Sequence, residues 1–134
     1  MNNMATNIKM VFDNQTNGVL NGSHGSTTVG SEDGALAAYD MVLGGLGACL
    51  NHTFQSILSK KKLEFHSVNY EIEGVKRDEV PATLKTVDIQ VTVTGVDSDK
   101  EAQAQKAWEM ATRYCSMHVT LSHVADMTST LTFK

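Results

Sequence analysis

The chain has 134 residues, with eleven lysines and arginines against fifteen acidic residues and a formal charge of −4, which suits one domain with a single core or one half of an obligate dimer. The charge is mild, and its one basic cluster, Lys60-Lys61-Lys62, reads as a helix C-terminus and not as a nucleic-acid surface. Two cysteines exclude a dense disulfide framework. The start, Met1-Asn2-Asn3-Met4-Ala5-Thr6, has no basic region leading into an apolar one. The apolar stretch Met41–Leu50 is about ten residues long, short of the ~20 that span a bilayer. The expectation is a cytoplasmic protein with neither nucleic acid nor membrane as a partner.

In chain order, residues 7–13 place Ile8, Met10 and Phe12 on one side of a short strand. The segment Asn14–Gly30 is rich in Gly, Asn, Ser and Thr, with turn signals at Thr16-Asn17-Gly18 and Leu20-Asn21-Gly22. Short strands are expected around Val19-Leu20 and Thr27–Val29, so that the N-terminal strands occupy 7–30. A turn at Gly30–Gly34 leads into a central helix over 35–62. Its apolar positions put Leu36, Tyr39, Leu43, Leu46 and Leu50 on one flank and Val42, Cys49 and Phe54 near another, the pattern of a helix buried on most sides. Gly44, Gly45 and Gly47 each cost roughly 1 kcal/mol relative to alanine inside a helix. Close approach of another element is the expected compensation.

Alternation with period two then takes over, predicting strands at 64–73 and 85–94. Val68, Tyr70 and Ile72 form one apolar row and Val87, Ile89, Val91 and Val93 the other, as in a half-solvated antiparallel sheet. Gly74–Pro81 is a charged connection. Ser98 and Glu101 predict a capping box for a second helix over 99–115, with Ala104, Ala107, Trp108, Ala111 and Cys115 on one stripe. The tail 121–134 ends in a strand in which Leu131 and Phe133 alternate. Alternating strands, as opposed to continuous apolar ones, argue an α+β fold against a doubly wound sheet.

The two cysteines carry the sharpest chemical hypothesis. Cys49 lies in mid-helix, so donors that lower its pKa must come from other elements. His52 and Thr53, three and four residues on, approach the same face, and His118 repeats the Cys-x-x-His offset beyond Cys115. Tyr39 begins the central helix and is a candidate cap for a pocket near Cys49. Apolar helices also bury inert cysteines, so the residues alone leave reactive and inert thiols both open. Five histidines occur without any organising Cys-x-x-Cys, His-Glu-x-x-His or carboxylate pattern, and neither a metal site nor a cofactor is expected. There is no Gly-x-Ser-x-Gly elbow, and Gly44-Gly45-Leu46-Gly47 lacks the Gly-Lys-Ser/Thr ending of a phosphate loop.

The run Ala38-Tyr39-Asp40-Met41-Val42-Leu43-Gly44-Gly45-Leu46-Gly47-Ala48-Cys49 resembles the central-helix signature of the OsmC/Ohr-like proteins of peroxide and osmotic stress. Arg113-Tyr114-Cys115-Ser116-Met117-His118-Val119-Thr120-Leu121 resembles that family's second signature, a cysteine closing the second helix. The resemblance implies an intertwined α+β homodimer, with antiparallel sheets wrapped around long central helices whose glycines permit close packing. It implies reduction of a small-molecule organic hydroperoxide, with Cys49 as peroxidatic and Cys115 as resolving thiol, and a dithiol or lipoylated protein as reductant. Two departures stand out. The N-terminal half contains no arginine, whereas peroxidase members use one from that region, and Arg77 and Arg113 lie elsewhere. The position of the family's helix glutamate, ten residues before Cys49, holds Tyr39; Asp40 falls opposite Cys49, since nine residues at ~100° each make a half-turn. The alternatives are an OsmC-like protein that binds a small hydrophobic or electrophilic ligand without peroxidase activity, and a structural dimer with inert cysteines.

Overall fold

The computed structural model describes residues 4–14 and 16–134. The chain divides into two compact units, Met1–Val42 and Leu43–Lys134. The first holds a three-stranded antiparallel meander, β1 (Lys9–Val11), β2 (Gly18–Asn21) and β3 (Ser26–Val29), ordered β1-β2-β3. Lys9 pairs with Asn21 and Asn21 with Ser26, and the Gly22 N–H closes the β2–β3 turn on the Gly25 carbonyl at 2.8 Å. The strand predicted over 7–13 contracts to three residues. Ile8, Met10, Val11 and Phe12 are all exposed, so the expected one-sided burial of β1 does not occur.

Helix α1 (Ala38–Lys60) begins in the first unit and continues in the second. It starts three residues later than the predicted 35–62 because Leu36 is held in extended geometry beside β3, its N–H donating to the Thr28 carbonyl at 3.0 Å. The Asp40 carboxylate then accepts the Ala37 N–H at 2.9 Å. Only one stripe of α1 is buried, Leu46, Leu50, Phe54 and Leu58. The flank of Gly44 and Ala48 is exposed, so within a single chain the helix is not buried on most sides.

The second unit continues with β4 (Ser67–Lys76), β5 (Leu84–Thr94), a 3-10 turn (Ser98–Lys100), α2 (Glu101–Tyr114), α3 (Ser116–Ser122) and β6 (Asp126–Phe133). The sheet order is β4-β5-β6. β4 and β5 pair antiparallel as expected, Tyr70 facing Val91. β6, however, runs parallel to β5, with Val87 beside Met127 and Val93 beside Phe133, so this sheet is mixed and not purely antiparallel. Alternation reports which face of a strand is covered and says nothing of its direction. A parallel neighbour needs a crossover of a dozen residues or more, which α2 and the unpredicted α3 provide. The capping box at Ser98 and Glu101 does not form: Asp97 caps the 3-10 turn without a side-chain hydrogen bond.

The core lies between the α1 stripe, the inward row of β5 (Val87, Ile89, Val91, Val93) and the small residues of α2 (Ala104, Ala107, Ala111). Trp108 ties these layers together. Its ring meets Phe54 edge-on, with centroids 5.3 Å apart at 87°, and Tyr70 of β4 at 6.1 Å. Its indole N–H donates to the Ser129 hydroxyl of β6 at 3.0 Å. Phe54→Ala removes the edge contact and opens a cavity at a fully buried position. The expected loss in urea unfolding is about 3–5 kcal/mol; a loss below about 1 kcal/mol would show that this ring does not anchor α1.

Candidate active site

Two glycines bring the elements of the site together. A Cβ at Gly47 would lie 3.2 Å from Ile72 of β4, and one at Gly45 would lie 3.4 Å from the Met117 methyl of α3. Gly45 sits one turn before Cys49, on the same face of α1. The missing side chain therefore leaves room for the start of α3 beside the Cys49 sulfur.

The second cysteine stands where the backbone turns from α2 into α3. Cys115 has φ −74° and ψ 115°, extended between two helices. Its N–H makes the last bond of α2, to the Ala111 carbonyl at 2.9 Å, and its carbonyl accepts the Val119 N–H of α3 at 3.0 Å. Its sulfur accepts the His118 N–H at 3.4 Å. Cys115 is thus the C-cap of one helix and the N-cap of the next, a cap made by sulfur in place of the usual side-chain oxygen. It is fully buried, and Cys49 is half-buried.

The two sulfurs are 2.9 Å apart, the Cys115 thiol directed at Cys49, and both cysteines are free. A disulfide is ~2.05 Å long, so bonding requires a small approach and no rearrangement of the helices. Burial pushes the Cys49 thiol up, but hydrogen bonds from the Cys115 thiol, the Met117 N–H, and the Ser116 hydroxyl and N–H outweigh it, so its pKa falls below that of an ordinary thiol. Burial and the bond donated to Cys49 push Cys115 up to about 11. Of the two sulfurs, Cys49 is thus the one more easily ionised.

The other expected residues are placed differently. Thr53 donates its hydroxyl to the Cys49 carbonyl at 3.0 Å, one turn back along α1, and not to the thiol. His52 is exposed and joins Thr53, Ile57, Lys61, Met110 and Tyr114 around a groove of about 480 Å³ between α1 and α2. His118 meets Cys115 through its backbone; its half-buried ring is held neutral, its pKa lowered by burial. Tyr39 lies in the first turn of α1, in the first unit. Among the described residues no group of three His, Cys, Asp or Glu side chains is placed to hold a metal ion, and no helix is long and apolar enough to cross a membrane.

Neither arginine replaces the one that the resemblance calls for. Arg77 donates to the carbonyls of Leu84 and, at 3.1 Å, Val124, and pairs with Glu79 at 3.8 Å, pinning the β4–β5 connection to the corner before β6. Arg113 is exposed, on the groove that also carries Lys61, Lys106 and His118. The groups that lower Cys49 are neutral donors. Ser116, the Met117 N–H and Tyr70 were not legible as site residues. Tyr70 donates to the Asn51 side chain at 3.2 Å, and burial, then the neighbouring Cys115, raise its phenol above the ordinary tyrosine value. The signal available for α3 was Met117 and Leu121 at an i, i+4 spacing, short enough to pass for alternation.

Residues 30–130 match the protein family described as OsmC-like protein. The chain belongs to the OsmC-like family. Protein YhfA of Escherichia coli K12 is 28% identical over 98 residues, 73% of each chain. The fold matches the crystal structure of an OsmC-like protein from Mycoplasma pneumoniae with a TM-score of 0.83 at 14% identity, covering 96% of each chain. It also matches an organic hydroperoxide resistance protein OsmC from Legionella pneumophila, TM-score 0.72 at 16% identity, again over 96% of each. The α+β topology is thus that of OsmC-like proteins. Iodoacetamide at pH 8 is expected to label Cys49 well before Cys115 on peptide mapping. Cys115→Ala removes the first of the donors that lower Cys49, so its labelling at pH 7 should slow. Equal labelling of the two cysteines would contradict the asymmetry described above.

Proposed function

We propose that this OsmC-like protein reduces organic hydroperoxides through a cycle of Cys49 and Cys115. The observation that carries the reading is the pair of free sulfurs at 2.9 Å, one favoured as thiolate and the other held as thiol. The Cys49 thiolate attacks the terminal oxygen of ROOH. The O–O bond breaks, its electron pair leaves with RO⁻, which takes up a proton as ROH, and Cys49 becomes a sulfenic acid. The Cys115 sulfur then attacks the Cys49 sulfur; the S–S bond forms, and the S–OH oxygen leaves as water with the Cys115 proton. A dithiol, free or as a lipoyl group on a protein, returns both thiols by exchange. Ile57, Met110 and Tyr114 form an apolar wall of the groove that starts at His52 and Thr53, one turn along α1 from Cys49, and this is where the alkyl group would lie.

The working form we propose is the homodimer. A small sheet needs a cover for its apolar residues, and Ile8, Met10, Val11 and Phe12 are 41–55% exposed. Gly44 of α1 likewise has open space where its side chain would be. Sedimentation at micromolar concentration should give twice the chain mass; a monomer would overturn this part.

With cumene hydroperoxide, one equivalent should consume both thiols and yield an intramolecular disulfide. Cys49→Ser should abolish turnover. Cys115→Ser should stop after one equivalent, as a sulfenic acid trapped by dimedone. Survival of both thiols in excess peroxide ends the peroxidase reading. A ligand-induced rise in Tm by an unreactive apolar analogue, in that case, would favour a binding protein, on the strength of the same groove.

A further inference from the structure

We propose that Ser116 is the positioning residue for the reactive sulfur, its hydroxyl donating to the Cys49 thiolate. The inference rests on the peroxidase reading for its purpose, and on geometry for its substance. The Ser116 oxygen lies 4.0 Å from the Cys49 sulfur, at the outer limit for a hydrogen bond to sulfur, and is drawn in when the sulfur carries charge.

Among the described residues the Ser116 hydroxyl has no use other than this one, for a structural reason. Thr53, Thr112 and Ser122 each donate to a carbonyl three or four residues back, those of Cys49, Glu109 and Val119. That is the ordinary fate of a hydroxyl inside a helix. Ser116 is the first residue of α3, and the backbone break at Cys115 interrupts the helix that would have placed a carbonyl three or four residues back within reach. Its recorded partner among the described residues is the Cys49 sulfur. Nor does Ser116 cap α3, since Cys115 does so through the His118 N–H. The hydroxyl is therefore dispensable to the helix. On ionisation the Cys49 proton leaves to solvent while the Ser116 proton stays on its oxygen, so the serine stabilises charge without itself titrating.

The titratable groups that meet the pair are Tyr70 of β4, which interacts with Cys115, and His118 of α3, through its backbone N–H. Burial lowers the His118 pKa and raises that of Tyr70, so it favours the neutral form of both.

The test is the pH profile of Cys49 alkylation in the full chain. Ser116→Ala should slow labelling at pH 7 by about three- to tenfold, the range for loss of one ordinary hydrogen bond, as suits a contact at long distance. The two rates should converge near pH 10. Its Tm should hold or rise, since alanine favours the helix. The near-isosteric pair Ser116→Thr and Ser116→Val separates the hydroxyl from volume: threonine should keep the wild-type profile and valine should follow alanine. Superimposable profiles for threonine and valine overturn the proposal, whatever the fate of the alanine variant. Alkylation needs no peroxide, so the two readings fail separately. A shifted profile in a protein that does not turn over hydroperoxide retains Ser116 and removes the peroxidase. Unshifted profiles in an active peroxidase do the reverse.

Discussion

A single extended residue between two helices governs the arrangement of this site. At Cys115 the backbone leaves α2 and re-enters helix as α3. The turn does three things at once: it points the Cys115 sulfur at Cys49, aims the first amides of α3 at the same atom, and starts the return to β6. The break is tolerated because both helix ends are satisfied there, α2 through the Cys115 N–H and α3 through the Cys115 sulfur and carbonyl. Helix ends leave several backbone groups without intrahelical partners, and here one residue serves both.

Packing holds that turn in register. Alanines at 104, 107 and 111 let α2 lie close in the core, and Trp108 links α1, β4 and β6 by ring contacts and one hydrogen bond. Gly45 then admits Met117. The small residues beside each cysteine thus let the two elements that carry the sulfurs approach.

The electrostatics follow from the same placement. Two thiols in contact cannot ionise equally, because each charge raises the cost of the other. Burial is deeper at Cys115 and the free amides converge on Cys49, so ionisation is easier at Cys49 than at Cys115. No arginine is needed for that asymmetry, although a neutral set of donors is a weaker stabiliser than a guanidinium.

How much was legible beforehand depended on whether the relevant signal was local. The inward row of β5, the α2 stripe from Ala104 to Ala111 and the mid-helix position of Cys49 are all periodicity, a local property read directly from residue order. The pairing of Cys49 with Cys115 rested on resemblance, because contacts 66 residues apart leave no trace in spacing. The direction of β6, the helix α3 and the roles of Ser116 and Tyr70 were hidden, since each depends on where a crossover returns and not on composition. The double burial expected of α1 was read from an apolar surface of which one chain covers only a stripe. Sequence by itself determined which residues are apolar and where helices and strands alternate; it placed Cys115 at the end of a helix, where the structure has an extended residue between two. Tertiary structure alone decided which donors reach which sulfur, because hydrogen bonds to a thiolate are made across elements that only packing brings together.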